Sequence, residues 1–261
     1  MAKPKLALIP ATQGSKLYSV LPADGVGDFT FSRGSAATRI NKDGLIETVA
    51  SGVSRLNYPL IDGVVNGCPS HLLEPSRLQQ IQYSEAFDNA YWTKSGLLTP
   101  TSGFVSPKGD LSAFKLVEGT NTGGHYIYSS SISVGASANH NGSIFVKSSG
   151  RTKIGIRDRG YSATYATFDL TTKTVLDSSG ITAVIIALSN DWYKIDYTYQ
   201  SSASSLSVLA LYILDDSYTS GSPSSLSYTG DGTSGIYIWG AQLEQGSYPT
   251  SYIPNYGTSA G

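Results

Sequence analysis

The sequence has a single cysteine, Cys68, among its 261 residues, so no disulfide can form within the chain. A chain of this length can instead be held by one large hydrophobic core or by two smaller ones. A lone cysteine outside any motif is most often a small buried apolar residue. We therefore expect Cys68 to be buried and unreactive.

Charged side chains are also scarce, at 14% of the sequence, against about one quarter in an average soluble domain. The 18 basic and 19 acidic residues nearly cancel, and no run of Lys and Arg occurs. A nucleic-acid partner is not expected, because phosphate binding needs clustered positive charge. A surface made largely of hydroxyls, amides and tyrosines suits sugars or close protein packing.

Long hydrophobic runs are missing as well. No stretch approaches the roughly 20 apolar residues of a membrane helix, so membrane insertion is not expected. The apolar run near the N-terminus covers only residues 6–9 before Pro10, which is shorter than a signal-peptide core of about seven residues. Export by a signal peptide is therefore not expected either.

Residues typical of strands and turns are abundant, including 18 Tyr and 28 Gly, and they predict an all-β fold. Alternation supports this, since Ile144 and Val146 share one face of a strand and Ile154 and Ile156 share another. Residues 206–214 are apolar on both faces, which indicates a central strand or a strand at a subunit contact. The predicted strands, at the spacing of a β-sandwich, are residues 113–117, 126–134, 142–147, 153–157, 165–170, 181–188, 192–200, 205–214 and 235–243.

Residues 1–80 differ from the rest in their irregular, Gly-rich turns, and they predict a smaller β-rich N-terminal region. Strands are predicted at residues 29–33, 37–40 and 45–49, with a turn at 41–44 that closes the last two into a hairpin. The connector that follows has at most a turn or two of helix, for which Ser84 is the expected cap.

Residues 235–254 resemble the closing strand and tail of jelly-roll domains in phage tail-fibre, head-fibre and decoration proteins. Further similar segments precede it in the same order along the chain. They are residues 83–87, 92–94, 143–147, 168–170 and 190–194. Residues 29–46 and 72–75 are similar to a segment that commonly precedes this domain in phage virion proteins.

The resemblance implies a structural virion protein that is not an enzyme. Residues 1–80 would anchor it to other virion proteins or form a homo-oligomer, with three copies as the expectation from closed symmetry. Residues 81–261 would form a jelly roll of the carbohydrate-binding-module type, able to adhere to host or environmental glycans. A structural spacer that binds no small molecule is the remaining non-enzymatic alternative.

Glycan recognition in such folds uses aromatic rings that pack on a sugar, flanked by carboxylates and amides. The predicted carbohydrate-binding residues are Trp192, Asp196, Tyr197, Tyr199, Tyr161 and Tyr165. Tyr126 and Tyr128 lie on neighbouring strands whose pairing the sequence leaves open. The alternative for Trp192, as for Trp239, is packing in the core.

Four arginines of the N-terminal region are predicted to anchor the protein in the virion, because guanidinium groups make bidentate contacts with carboxylates of neighbouring subunits. They are Arg33, Arg39, Arg55 and Arg77. The alternative for each one is a solvated loop arginine.

No cofactor is expected. Asp215, Asp216 and Asp231 fall in predicted loops without EF-hand spacing, so they are expected to form turns, and Ca²⁺ binding is the alternative. The competing function is a glycan depolymerase acting on a bacterial surface polysaccharide, which needs two carboxylates across a cleft. The carboxylates available for it include Glu74, Glu85, Glu118 and Glu244.

Overall fold

The computed structural model describes residues 10–13, 16–19, 32–160, 164–201 and 206–257. Within these ranges the chain is all-β, and its main body is a sandwich of two six-stranded antiparallel sheets. The helices found there are single 3₁₀ turns at Ser189–Asp191 and Pro223–Ser225. No helix in the described ranges is long and apolar enough to cross a membrane.

Within the described ranges, twenty-four strands follow one another along the chain. They are β1 Pro10–Gln13, β2 Lys16–Ser19, β3 Ala37–Ile40, β4 Ile46–Val49, β5 Leu56–Asn57, β6 Leu60–Ile61, β7 Val64–Val65, β8 Ser70–His71, β9 Trp92–Ser95, β10 Thr99–Phe104, β11 Ala113–Val117, β12 Thr122–Gly123, β13 His125–Ser129, β14 Ile132–Ser133, β15 Asn139–Ser149, β16 Lys153–Asp158, β17 Tyr165–Asp169, β18 Thr174–Ser179, β19 Thr182–Ala187, β20 Tyr193–Gln200, β21 Leu206–Ser207, β22 Leu209–Leu214, β23 Tyr228–Thr229 and β24 Gly235–Gln245.

Sheet 1 has the order β10-β11-β24-β15-β20-β19, and sheet 2 has the order β18-β17-β16-β22-β13-β9. The chain passes repeatedly from one sheet to the other, so most neighbours within a sheet are distant in sequence. This is the connectivity expected of a jelly-roll sandwich. The predicted fold class is confirmed.

The alternating apolar residues that predicted the strands fill the core between the two sheets. Ile144 and Val146 of β15 and Ile154 and Ile156 of β16 are completely buried in one core shared by both sheets. Burying one such side chain contributes about 1.5–3 kcal/mol. β22 is buried along its whole length and lies third from the edge of sheet 2, so the prediction of a central strand is confirmed for residues 209–214. Leu206–Ser207 instead form the short strand β21, which pairs with β14.

The outer face of sheet 1 is covered by the N-terminal region and the C-terminal tail. Ile46 of the β3–β4 hairpin packs into a second apolar cluster with Trp239 and Tyr252. The Thr38 hydroxyl donates to the Tyr252 carbonyl at 2.6 Å, and the Gln79 amide donates to the Ala241 carbonyl at 3.0 Å. The described part of residues 1–80 therefore lies against sheet 1, while a domain boundary at residue 80 stays a prediction.

Two local predictions are corrected. Cys68 is exposed rather than buried, because its turn lies outside the sandwich core. No helix forms after Ser84, whose hydroxyl instead accepts the Asn255 amide at 2.8 Å and contacts the Tyr252 hydroxyl at 2.7 Å. The β3–β4 hairpin is confirmed. A further strand was predicted at residues 29–33. Residues 29–31 lie outside the described ranges, and residues 32–33 do not form a strand.

Candidate functional site

The outer face of sheet 2 presents a group of aromatic and cationic side chains to solvent. Ile127 of β13 points into the sandwich core, so its neighbours Tyr126 and Tyr128 point outward. Arg157 of β16 and Tyr165 of β17 point outward for the same reason, beside the buried Ile156 and Ala166. We call Tyr126, Tyr128, Arg157, Arg159 and Tyr165 the tyrosine face.

Strand pairing places three of these residues, Tyr128, Arg157 and Tyr165, in one row across the sheet. Tyr128 pairs with Ala210, Ala210 pairs with Arg157, and Arg157 pairs with Tyr165. Tyr128 and Tyr165 are thus three strand spacings apart, which is about 14 Å. A row of this length fits an extended ligand better than a single sugar ring.

The rings of the tyrosine face are held in place by stacking. Tyr126 stacks on the buried Tyr212 with ring centroids 4.5 Å apart and lies 5.9 Å from Tyr128. The exposed Arg159 lays its guanidinium over both outer rings, 4.3 Å from the Tyr128 centroid and 5.1 Å from that of Tyr126. Each such cation–π contact contributes about 0.5–1 kcal/mol of stabilisation at an exposed site. The result is a preformed polar and aromatic surface.

Electrostatics favour a polar ligand on this face. Contact with the Ser95 side chain, together with the charges of Arg159 and Arg157, lowers the pKa of Tyr126 although the ring is partly buried. At the other end, Asp177 accepts the Gly221 amide at 2.7 Å and the Tyr165 hydroxyl at 3.2 Å. The Gly221 amide is also the main reason why the pKa of Asp177 is lowered. The face therefore offers guanidinium donors and a charged acceptor beside its rings.

One side of the face is closed by the loop after β22. A Cβ at Gly155 would lie 2.6 Å from Pro223, so glycine is needed at this outward position to admit the loop. Tyr218 closes the same loop through a hydroxyl bond to the Gly221 carbonyl. Beyond this loop Tyr128, Arg157 and Tyr165 are partly exposed, while Ala210 between the first two is completely buried.

Most of the aromatic residues predicted to bind carbohydrate lie elsewhere, and this prediction is corrected. Tyr197 and Tyr199 are 3% exposed and point into the sandwich core, because the aromatic side of β20 is its inner side. Trp192 is 1% exposed in the cluster under the N-terminal region. None of the three offers a ring face to a sugar.

The remaining predicted carbohydrate-binding residues, Asp196, Tyr161 and Tyr165, have three different outcomes. Asp196 is nearly buried and pairs with Lys194 at 2.9 Å, and burial raises the pKa of Asp196. Tyr161 lies outside the described residues. Tyr165 lies on the tyrosine face, where the structure adds Tyr126, Tyr128, Arg157 and Arg159. Alternation around Ile127 is the sequence signal that could have found Tyr126 and Tyr128. The group itself comes together only through the pairing of β13, β22, β16 and β17.

The predicted anchoring arginines converge on one side of the N-terminal region. Arg33, Arg55 and Arg77 line a cavity of about 470 Å³, which we call the arginine groove. Arg39 instead pairs with Glu47 at 2.9 Å and lines an adjoining cavity of about 320 Å³. Glu74, Thr250 and Ser251 contribute to the walls of both cavities.

Arg55 is a structural residue, which corrects its predicted role as a contact to neighbouring subunits. Its side chain is 6% exposed. The Nη1 atom donates to Glu74 at 2.8 Å, to the Ser251 hydroxyl at 2.7 Å and to the Thr38 carbonyl at 3.0 Å. Arg55 thereby ties the N-terminal region to the C-terminal tail.

The carboxylates weighed for catalysis all accept hydrogen bonds from their own chain. Glu74 accepts the Ser251 amide at 2.8 Å, and Glu244 accepts the Thr250 amide at 2.6 Å. Glu85 accepts the Tyr252 hydroxyl at 3.1 Å. Glu118 accepts Arg151. Each of these carboxylates has a partner within the fold.

Two of the three loop aspartates, Asp215 and Asp231, hold turns in the described structure, whereas Asp216 bonds to a residue distant in sequence. Asp215 accepts the Ser217 amide at 2.9 Å, and Asp231 accepts the Thr233 amide at 2.7 Å. Asp216 accepts the Thr152 hydroxyl at 2.7 Å. In the ranges that the structure covers, no three His, Cys, Asp or Glu side chains gather as a metal site.

Comparison with known proteins adds no family to this picture. No protein-family model matches the chain, and none of the curated proteins matches it significantly. The tyrosine face and the arginine groove are therefore interpreted from their own geometry.

Proposed function

We propose that this chain is a non-enzymatic structural protein of a bacteriophage virion that contacts glycans through the tyrosine face. The ordered motifs described above, which resemble those of phage fibre and decoration proteins, support the virion assignment. The single observation that carries glycan contact is the row of outward rings and guanidinium groups from Tyr128 to Tyr165 on sheet 2.

The chemistry of the face suits a polysaccharide. The C–H side of a pyranose ring packs on an aromatic ring, and its hydroxyls need donors and acceptors around that ring. Tyr128 and Tyr165 supply rings, Arg157 and Arg159 supply donors, and Asp177 supplies an acceptor beside Tyr165. Because this arrangement is preformed by the sheet, little ordering entropy is lost on binding.

The same fold supports binding better than cleavage. A glycosidase needs two carboxyl groups about 5–10 Å apart across the scissile bond. Asp177 is the carboxylate that we place beside the tyrosine face, and Glu74, Glu85, Glu118 and Glu244 are engaged in internal contacts. Incubation with bacterial capsule or exopolysaccharide should release no reducing ends, and release that disappears in Asp177→Asn would favour the depolymerase alternative.

Replacing the rings of the tyrosine face should weaken glycan binding. We expect Tyr128→Ala and Tyr165→Ala each to lower the affinity for a bound bacterial polysaccharide about tenfold, because each removes a stacking surface. Affinity electrophoresis or a glycan array measures the effect. Tyr256→Ala is the matched control, because Tyr256 is a 66% exposed tyrosine of the C-terminal tail and does not belong to the tyrosine face. If Tyr128→Ala and Tyr165→Ala both bind the polysaccharide as tightly as the unchanged protein, the assignment of glycan binding to the tyrosine face is contradicted.

The virion role predicts association with particles. The purified protein should form a closed homo-oligomer, with three copies expected, and should co-sediment with phage particles that lack it. Light scattering after size exclusion gives the mass, and sedimentation with and without particles gives the association. A protein that stays monomeric and never co-sediments would remove the support for this role.

A further inference from the structure

The two guanidinium groups of the tyrosine face carry positive charge that no described carboxylate pairs with. Arg157 lies on β16 and Arg159 follows it directly. Arg157 is partly exposed and Arg159 is exposed. Within the described residues neither forms an ion pair, whereas Arg39, Arg55 and Arg151 each pair with a glutamate. This end of the face is therefore open to an external anion.

The carboxylates nearest to these two arginines along the chain and on the face are engaged elsewhere. Asp158, between the arginines in sequence, is 4% exposed and accepts the amides of Gly160 at 2.8 Å and of Val208 at 2.9 Å. Asp177 lies at the other end of the face, where it accepts the Tyr165 hydroxyl. The outward surface consequently has two cations at one end and one anion at the other.

The exposed Arg159 presents its N–H groups to solvent although it is held in place. It lies over the rings of Tyr126 and Tyr128. A guanidinium that stacks on a ring uses its flat face for the contact, and its N–H groups point outward in the plane of the group. Cation–π stacking thus orients Arg159 without using up its hydrogen-bond donors.

The charges of both arginines act on the same phenol groups. Contact with the Ser95 side chain lowers the pKa of Tyr126, and the charges of Arg159 and Arg157 lower it further. Burial raises the pKa of the neighbouring Tyr212, and the same two charges oppose this rise. In both rings the arginines act as a positive potential does, because such a potential favours the negatively charged form.

This arrangement suits an oxyanion on an extended ligand. Two side chains at alternate positions of a strand lie about 7 Å apart on one face, so an anion held by both Arg157 and Arg159 relieves the repulsion between them. Guanidinium forks match the oxygens of a carboxylate or a phosphate. With charged residues at only 14% of the sequence, the unpaired cations stand out on a mostly uncharged surface.

We propose that the tyrosine face selects acidic polysaccharides, with Arg157 and Arg159 holding the oxyanion of one sugar unit while Tyr165 packs on another unit of the same chain. This inference rests on the proposed function, because it names the class of glycan for that site. Carboxylates of uronic or sialic acids and phosphates esterified to a sugar share the required chemistry. Neutral polysaccharides would be bound more weakly.

Binding of the full chain to immobilised polymers, followed by biolayer interferometry, tests the class of ligand. Polygalacturonate and polysialic acid supply carboxylates, and phosphomannan supplies phosphate. Each has a neutral match, in which the carboxyl groups are reduced to alcohols or the phosphates are removed. We expect at least one acidic polymer to bind about tenfold more tightly than its neutral match, and this binding should weaken as salt is added. Polyglutamate, which has charge but no sugar rings, should bind more weakly than that polymer.

Variants separate the two arginines from the rest of the surface. Arg159→Gln and Arg157→Gln should each lower the affinity for the acidic polymer about tenfold and leave binding of its neutral match unchanged. Arg159→Lys, which keeps the charge, should retain more of the affinity than Arg159→Gln. Lys42→Gln, which removes an exposed cation of the N-terminal region, is the matched control and should change nothing. Thermal unfolding verifies that each variant is folded.

Equal binding of the acidic polymers and their neutral matches would overturn the inference. Binding of polyglutamate as tight as that of the acidic polysaccharides would do the same, and so would no binding of any acidic polymer. If acidic and neutral polymers bind equally and both depend on Tyr128, the proposed function stands without a preference for acidic glycans. If acidic binding depends on Arg159 but is unchanged in Tyr128→Ala and Tyr165→Ala, the cationic site stands and the aromatic contact of the proposed function is wrong.

Discussion

Arg151→Met should lower the free energy of unfolding by about 3–5 kcal/mol, since it leaves a buried carboxylate without its cation. The Glu118 side chain is fully buried, and Arg151 holds it with Nη2–Oε1 at 2.6 Å and Nε–Oε2 at 3.0 Å. The Tyr228 hydroxyl and the Asp231 amide complete its shell at 2.8 and 3.0 Å. This network joins the end of β11 to the β15–β16 turn, to β23 and to the loop before β24. Urea unfolding of both proteins measures the loss.

An exposed ion pair is the control for the Arg151 variant. Arg39 and Glu47 form a pair of similar length, 2.9 Å, between partly exposed side chains. Arg39→Met should therefore cost no more than about 1 kcal/mol. The double variant Arg151→Met, Glu118→Gln should recover part of the loss, because no fully buried charge is then left unpaired; Asp215 and Asp216, which also lose Arg151, are partly exposed. Equal losses in the Arg39 and Arg151 variants would contradict this account.

The Glu118 network also predicts a pH dependence. Burial by itself would raise the pKa of Glu118, but Arg151, the Asp231 amide and Tyr228 together lower it below the usual value of 4.5. A carboxylate whose folded pKa is lowered stabilises the protein above its unfolded pKa, and the contribution is lost as pH falls through the folded value. The stability difference between the protein and Glu118→Gln should thus shrink as the pH is lowered below about 4.5.

Strand positions in the sandwich were readable from the sequence where apolar residues alternate. β15 and β16 follow Ile144, Val146, Ile154 and Ile156, and a one-residue slip would have moved these side chains out of the core. β10 and β18 were missed, because Thr99–Phe104 contains Pro and Gly and Thr174–Ser179 is largely polar. Such edge strands form because a neighbouring strand offers backbone partners, which a local pattern does not reveal.

The candidate site was harder to predict because it depends on which face of a strand is covered. In β20 the sequence separates Tyr197 and Tyr199 cleanly from Lys194 and Asp196, and either side could have faced solvent. The aromatic side packs between the sheets, and the polar side is covered by the N-terminal region and the tail. The tyrosine face could not be predicted from local patterns, because it forms only when strands far apart in sequence pair with one another. The convergence of Arg33, Arg55 and Arg77 likewise depends on how residues 32–80 fold back on sheet 1.

Trp239 lies where the N-terminal region, the tail and sheet 1 meet. Its side chain is completely buried. Its ring centroid is 4.5 Å from that of Tyr252 in the tail and 5.1 Å from that of Phe145 on β15, and its indole N–H donates to the Ser112 hydroxyl at 3.0 Å. Ile46 of the β3–β4 hairpin belongs to the same cluster. This one side chain therefore couples the N-terminal region to the sandwich.

Trp239→Ala should cost about 3–5 kcal/mol of stability, because the large cavity cannot close between two rigid layers. Phe168→Ala, which leaves a cavity in the core between the sheets, should lower stability by a similar amount. It should not detach the N-terminal region from sheet 1. Limited proteolysis under native conditions separates the two, since only the Trp239 variant should become sensitive near the turn at residues 41–44. Leu111→Ala, at a 67% exposed leucine, should change stability by no more than about 0.5 kcal/mol. Equal protease sensitivity in the Trp239 and Phe168 variants would mean that the N-terminal region does not depend on the Trp239 cluster for its attachment.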